Sequence, residues 1–199
     1  MLDPRATLAL AERVAAAARQ QGIATALIGA TALAGHRYTR GTEGIDLATA
    51  VDPATQLSAL ERTLAETGLH TQLRLPDDND PLGGVLAVWE RVDERGAPVD
   101  TVEIVNFLNP GSARANPARN AIARAEEVPG TTLRCVILAD LVALKLYAGG
   151  SSDLADIVQL IARNADVDLE AIRAIASAYD TRGRLDELIA EAEQLRGNQ

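Results

Sequence analysis

A chain of 199 residues, 47% of them hydrophobic, carries enough apolar material for one cored domain, with or without a helical appendage, and too much for a disordered polymer. Only 3% are aromatic, so Ala, Leu, Val and Ile must fill the core, and the net charge of −9 sets long-range repulsion against a polyanion. No apolar run approaches the roughly 20 residues of a membrane span and no basic-then-apolar leader opens the chain, so a cytoplasmic protein without membrane partners is expected.

In chain order, Asp3-Pro4 joins a capping carboxylate to a first-turn proline, and Leu8, Ala11, Val14, Ala15 and Ala18 follow at helical spacing up to Gly22. Ile23 to Ile28 reads as a buried strand, Ala30 to Gly35 as a short helix whose N-terminus faces Gly29, and Ile45 to Val51 as a second strand. Asp52-Pro53 repeats the helix-opening signal for a segment through Leu57, Leu60 and Leu64 that Gly68 ends. Leu69 to Leu75 predicts a third strand, and residues 76–84 an acidic, turn-rich loop. Strands over Val85–Val92 and Val99–Leu108 flank Asp93–Pro98 as a hairpin. The stretch Asn109–Ala125 reads as helical in its second half, and Thr131–Leu138 as the last strand, with the single cysteine, Cys135, as a small buried hydrophobe. Helices are then expected over Asp140–Ala148, Asp153–Arg163, Leu169–Tyr179 and Leu185–Leu195. The composition shift near Ala139 divides residues 1–138, a core, from residues 139–199, a helical portion packed on it. The pattern is that of an α/β (α+β) fold.

Three of these places carry residue types suited to a phosphate and a divalent metal. An anionic phosphate group held still for reaction needs its charge neutralised by such a metal. Magnesium is held by one or two carboxylates plus phosphate oxygens. Acids at i and i+2 of a strand point the same way and make a compact clamp, which a third acid from a neighbouring strand completes. A glycine beside a helix start lets backbone N–H groups approach phosphate.

Leu27-Ile28-Gly29-Ala30, then Arg40-x-Thr42-x-Gly44-Ile45-Asp46-Leu47, then Leu138-x-Asp140-Leu141-x-Ala143-Leu144-Lys145-Leu146 with Asp153-Leu154-Ala155-Asp156-Ile157 stand in that order. With them, roughly residues 22–165 resemble the polymerase-beta-type nucleotidyltransferase superfamily, and within it the small AbiEii-type abortive-infection toxins. The resemblance implies a nucleotidyltransferase-like mixed sheet flanked by helices, magnesium as cofactor, a nucleoside triphosphate as ligand, an acceptor on RNA or protein, and a cognate antitoxin or other protein partner.

Carried onto this chain, the resemblance makes Asp46, Glu103 and Lys145 the catalytic residues and Asp46 and Glu103 the metal ligands. It assigns cofactor binding to Gly29, Ala30, Thr31, Arg40 and Asp153. The chain also departs from the family pattern. Gly44 stands where the first acid of the pair belongs, Ala30 where Gly or Ser is usual, and the linker Ala148-Gly149-Gly150-Ser151-Ser152 lacks the usual basic residues. The metal site therefore reads as degenerate, which leaves two functions open: nucleotidyl transfer, or a catalytically inactive relative that binds or regulates a partner.

Several assignments keep a second reading. Asp46 is either a metal ligand or a strand-end partner of Arg40, and Glu43 substitutes for the missing acid only if the backbone turns at Gly44. Glu103 is the candidate third acid, with Asp100 as runner-up. Lys145, set among Leu141, Val142, Leu144 and Leu146, needs either phosphate or an acid such as Asp153 or Asp156, because an unpaired buried ammonium is costly. Thr31 supplies a hydroxyl to the site or is an ordinary helix threonine. Arg114, Arg119, Arg124 and Arg134 form a local basic patch for nucleic acid or a solvated helix face. His36 and His70 have no ligand-spaced partner, so zinc is not expected, and the acidic loop lacks the spacing of a calcium loop.

Overall fold

The computed structural model describes residues 3–42, 44–77, 80–180 and 182–197. Asp3 opens helix α1 (Pro4–Gln20), its carboxylate accepting from the Arg5 and Ala6 N–H groups. Strand β1 (Ala26–Ile28) runs directly into α2 (Gly29–Gly35), and β2 (Gly44–Thr49) follows. The second Asp-Pro pair starts a wide π-type turn, Pro53–Leu57, with Asp52 accepting from the Thr55 N–H, before α3 (Ser58–Glu66). Next come β3 (His70–Arg74), β4 (Val85–Trp89), the short pair β5 (Arg91–Val92) and β6 (Pro98–Val99), and β7 (Thr101–Asn106). The C-terminal half contains α4 (Ala118–Arg124), β8 (Glu126–Glu127), β9 (Arg134–Cys135), α5 (Leu138–Ala148), α6 (Ser151–Arg163), α7 (Leu169–Ala176) and α8 (Leu185–Gly197).

Seven strands form one mixed sheet in the order β3-β4-β7-β2-β1-β9-β8. The pairs β2–β7 and β1–β9 are parallel; β1–β2, β3–β4, β4–β7 and β8–β9 are antiparallel. Strand alternation gives the sheet two apolar faces. Leu27, Ile45, Leu47, Val102 and Ile104 pack with Leu10, Val14, Leu60 and Leu64 of α1 and α3. Ala26, Ile28, Ala48 and Phe107 belong to a second cluster that continues without a break through Leu141, Ile157, Ile172 and Ile189 of α5 to α8. The result is a mixed α/β fold with helices on both faces of the sheet. Among the described residues, no helix is long and apolar enough to cross a membrane.

Several predicted strands are shorter than expected: 23–28 forms a strand only over Ala26–Ile28, 85–92 breaks at Glu90, and two more are shortened for local reasons. The 131–138 segment pairs only at Arg134–Cys135, because the chain turns into α5 at Leu138. The 99–108 segment breaks at Asp100, which adopts φ 55°, a left-handed conformation that Asp tolerates better than most residues. Asp100 is buried, and its Oδ1 accepts from the Asp3 N–H (2.7 Å) and the Thr7 hydroxyl (3.3 Å) while Oδ2 pairs with Arg91. This aspartate ties the start of α1 to the β6–β7 corner. Burial raises its pKa, but the Asp3 N–H, Arg91 and Thr7 outweigh that and hold it below the ordinary carboxylate value.

Asp100→Asn should therefore cost about 2 kcal/mol in urea unfolding at neutral pH. A depressed folded-state pKa contributes stability only while the group is ionised. The gap between variant and parent should accordingly narrow as pH falls below about 4.

Candidate active site

The candidate crevice forms where β1, β2 and β7 meet α5 and α6. Parallel pairing sets Asp46 of β2 beside Glu103 of β7 in direct register, so the two carboxylates share one face of the sheet. The neighbours Ile45, Leu47, Val102 and Ile104 point the other way, into the α1/α3 core. Asp46 is half-buried and Glu103 exposed. On the far side of Asp46, β1 enters α2 at Gly29, which has φ 59°. A Cβ at Gly29 would overlap the Asp46 carboxylate, so only glycine allows this approach.

Lys145 forms part of the crevice wall. It is 5% exposed, and its Nζ donates to Asp156 Oδ2 at 2.7 Å and to Asp153 Oδ1 at 3.1 Å. Of its two open readings, the acid pairing is the one present. Asp153 also caps α6, with its Oδ2 accepting from the Gly150 N–H (3.2 Å). Arg40, more exposed, places its Nε 3.5 Å from the same Asp156 oxygen. Its ion pair is thus with Asp156, while its charge still reaches Asp46.

Two cavities meet here. One, about 240 Å³, is lined by Gly29, Arg40, Asp46, Val105, Lys145 and Asp153 among others. The other, about 600 Å³ and open, is lined by Arg40, Gly41, Thr42, Gly44, Asp46, Thr101 and Glu103. Arg40 and Asp46 belong to both. Burial first, and then the facing charge of Glu103, push the Asp46 pKa up to about 6, against the pull of Arg40 and Lys145.

The remaining sequence candidates lie further back. Ala30 is buried and Thr31 half-buried in α2. Asp100 faces α1, not the crevice. Glu43 lies outside the described residues. At Gly44 a Cβ would overlap the Thr101 carbonyl oxygen across the β2–β7 pairing and crowd the Thr101 hydroxyl, so Thr101 fills the space beside Gly44. Sequence reasoning missed Thr101; its register with Gly44 was not readable before the strands were paired. Of the four arginines, Arg119 and Arg134 line one cavity, while three make contacts of their own. Arg124 makes a two-pronged ion pair with fully buried Asp140, Arg134 donates to the Ala125 carbonyl, and Arg114 stacks on Tyr147. Arg114 also precedes α4 and is not on that helix.

The donor set fits magnesium at its lower limit: two adjacent carboxylates whose repulsion a dication would relieve, with the remaining positions left to phosphate oxygens and water. Among the described residues no group of three His, Cys, Asp or Glu side chains is arranged to hold a metal ion.

No protein-family model matches the chain, and no curated protein matches it in sequence. Solved structures do share its fold. A nucleotidyltransferase-like protein from Paracoccidioides brasiliensis, described as antigenic, superposes with a TM-score of 0.57 at 15% identity, covering 99% of this chain and 91% of that one. The solution structure of the antibiotic-resistance factor ANT(2'')-Ia gives 0.53 at 14% identity, over 99% and 100% of the two chains. A crystal structure of ANT(2'')-Ia with adenylyl-2''-tobramycin gives 0.50 at 15% identity, over 89% and 98%. The protein therefore has the nucleotidyltransferase-like fold.

Two outcomes test the geometry. A raised folded-state pKa means that ionising Asp46 works against the fold. Stability is full near pH 4, falls as pH rises through 6, and levels off above it, with a total loss of roughly 3 kcal/mol at most. Asp46→Asn removes that charge, so without metal it should be the more stable protein at pH 8 and equal to the parent near pH 4, read by urea midpoints. Gly29→Ala should lose about 2 kcal/mol or more at any pH, from overlap with Asp46 combined with the positive φ.

Proposed function

We propose that the crevice holds a nucleoside triphosphate with magnesium and that the protein transfers the nucleotidyl group to an acceptor hydroxyl in the cytoplasm. The observation that carries this reading is the register pairing of Asp46 with Glu103, opening onto two joined cavities beside Gly29. Asp46 and Glu103 would hold the ion, which supplies charge neutralisation on the phosphates when bound. Asp46, raised to about 6, is mostly ionised at neutral pH and free to ligate. Glu103 lines the outer cavity and is exposed, which supports a role in taking the acceptor's proton.

Arg40 lines both cavities and faces the phosphates as a flexible cation. Lys145, already satisfied by Asp153 and Asp156, adds its field from the wall without breaking those contacts. Gly29 brings backbone against Asp46 with no side chain between them, and Ala30 and Thr31 follow in the first turn of α2. The motif likeness to AbiEii-type toxins supports a toxin role with an antitoxin partner. The adenylylated product bound by one structural neighbour supports small hydroxyl-bearing acceptors as well.

One observation favours a second reading, an inactive relative that keeps the fold to bind a partner. The missing acid at Gly44 has its space taken by Thr101, and the buried lysine is neutralised by two acids. Thermal unfolding with magnesium and each of the four nucleoside triphosphates separates the two. The first reading expects a rise in Tm with at least one triphosphate, corresponding to about 2.7 kcal/mol at a hundredfold excess over Kd, and its loss in Asp46→Asn and Glu103→Gln. No shift with any triphosphate at millimolar concentration leaves the inactive relative.

A further inference from the structure

Behind the C-terminal end of α5 lies a smaller cavity, about 60 Å³, walled by Arg114, Tyr147, Gly149, Asp180, Arg182 and Arg184. Ala148 lines both this cavity and the 240 Å³ side of the crevice, so the two adjoin across one small residue. In a chain of net charge −9, three guanidinium side chains meeting in one wall need a reason. The Arg114 guanidinium stacks on the Tyr147 ring at 4.5 Å and donates to the Tyr147 carbonyl at 3.4 Å, which fixes its plane. Among the described residues neither Arg182 nor Arg184 forms an ion pair. Asp180, the acid in the wall among the described residues, is already committed: Oδ1 accepts from the Arg184 N–H at 3.0 Å and Oδ2 from the Leu185 N–H at 2.8 Å.

Three converging cations without a free counter-charge favour an anion that offers several oxygens. Planar guanidinium forks match phosphate in particular. The cavity, about 60 Å³, is large enough for one phosphoryl group. We propose that this arginine cavity binds a phosphoryl group of the acceptor, which then crosses Ala148 and presents its hydroxyl in the crevice. The acceptor class is thus a phosphate ester with a free hydroxyl. That word, acceptor, rests on the reading of the crevice given above; the anion site itself does not.

The test titrates inorganic phosphate into the protein without magnesium or triphosphate, following backbone amides by NMR, so that an inert crevice cannot imitate a failed arginine site. The expected result is saturable shifts at the Gly149 and Arg184 amides, weakened about tenfold by Arg184→Gln, lost in the Arg182→Gln/Arg184→Gln double variant, and kept in Asp46→Asn. Shifts that do not saturate, or that persist unchanged in a double variant with an unaltered melting curve, overturn the proposal. A nucleoside 5′-monophosphate titrated in the same way should move Gly149 and Gly29 together. If it moves Gly29 and leaves Gly149 and Arg184 unmoved, the cavity does not serve the acceptor and the proposal falls.

Discussion

A half-buried carboxylate held beside a second one organises the crevice of this protein. The parallel register of β2 and β7 fixes Asp46 beside Glu103 on one face of the sheet, and the backbone at Gly29 closes the other side of Asp46. The nearby positive charge is already shared. Lys145 and Arg40 both reach Asp156, and Lys145 also serves Asp153. Burial, and after it the facing charge of Glu103, raise the pKa of Asp46 to about 6 against the pull of Arg40 and Lys145.

The rest of the fold keeps that arrangement stiff. The α5–α6 turn places Lys145 on one helix and its two acids on the first turns of the next, with Gly149 in the left-handed conformation between them. The other end of α6 is secured from far along the chain. Arg196 of α8 donates to the carbonyls of Ile161, Ala162 and Asn164, the last at 2.7 Å, satisfying groups that a helix end would otherwise leave open. Asn164 adds a bond to the His36 carbonyl at 2.8 Å, which joins α6 to the end of α2. Helices α2 and α6 are therefore joined to each other at their far ends.

Much of this architecture was legible in the sequence, because the signals were local. Asp3-Pro4 and Asp52-Pro53 each open a helical segment, and the apolar alternation around Asp46 and Glu103 sets the face on which they lie. Gly29 was readable as a bend, although its reason, the Asp46 carboxylate against its α-carbon, needed three dimensions. Non-local facts were out of reach. Nothing along the chain says that Asp100 holds the N–H of Asp3, or that Thr101 pairs with Gly44. The π-type turn before α3 and the break at Asp100 are likewise outcomes of packing that residue propensity does not announce. The arginine cavity draws on Arg114, Arg182 and Arg184, whose separation in sequence hides their meeting in space.

The contact between Gly44 and Thr101 also bears on how the crevice could be rebuilt. A Cβ introduced at 44 would meet the Thr101 carbonyl oxygen and hydroxyl, and a smaller residue at 101 would not by itself make room beside that strand's own carbonyl oxygen. A second carboxylate on β2, two residues before Asp46, would therefore require a shift of β7 against β2. Redesign of this crevice starts from Asp46, Glu103 and what surrounds them.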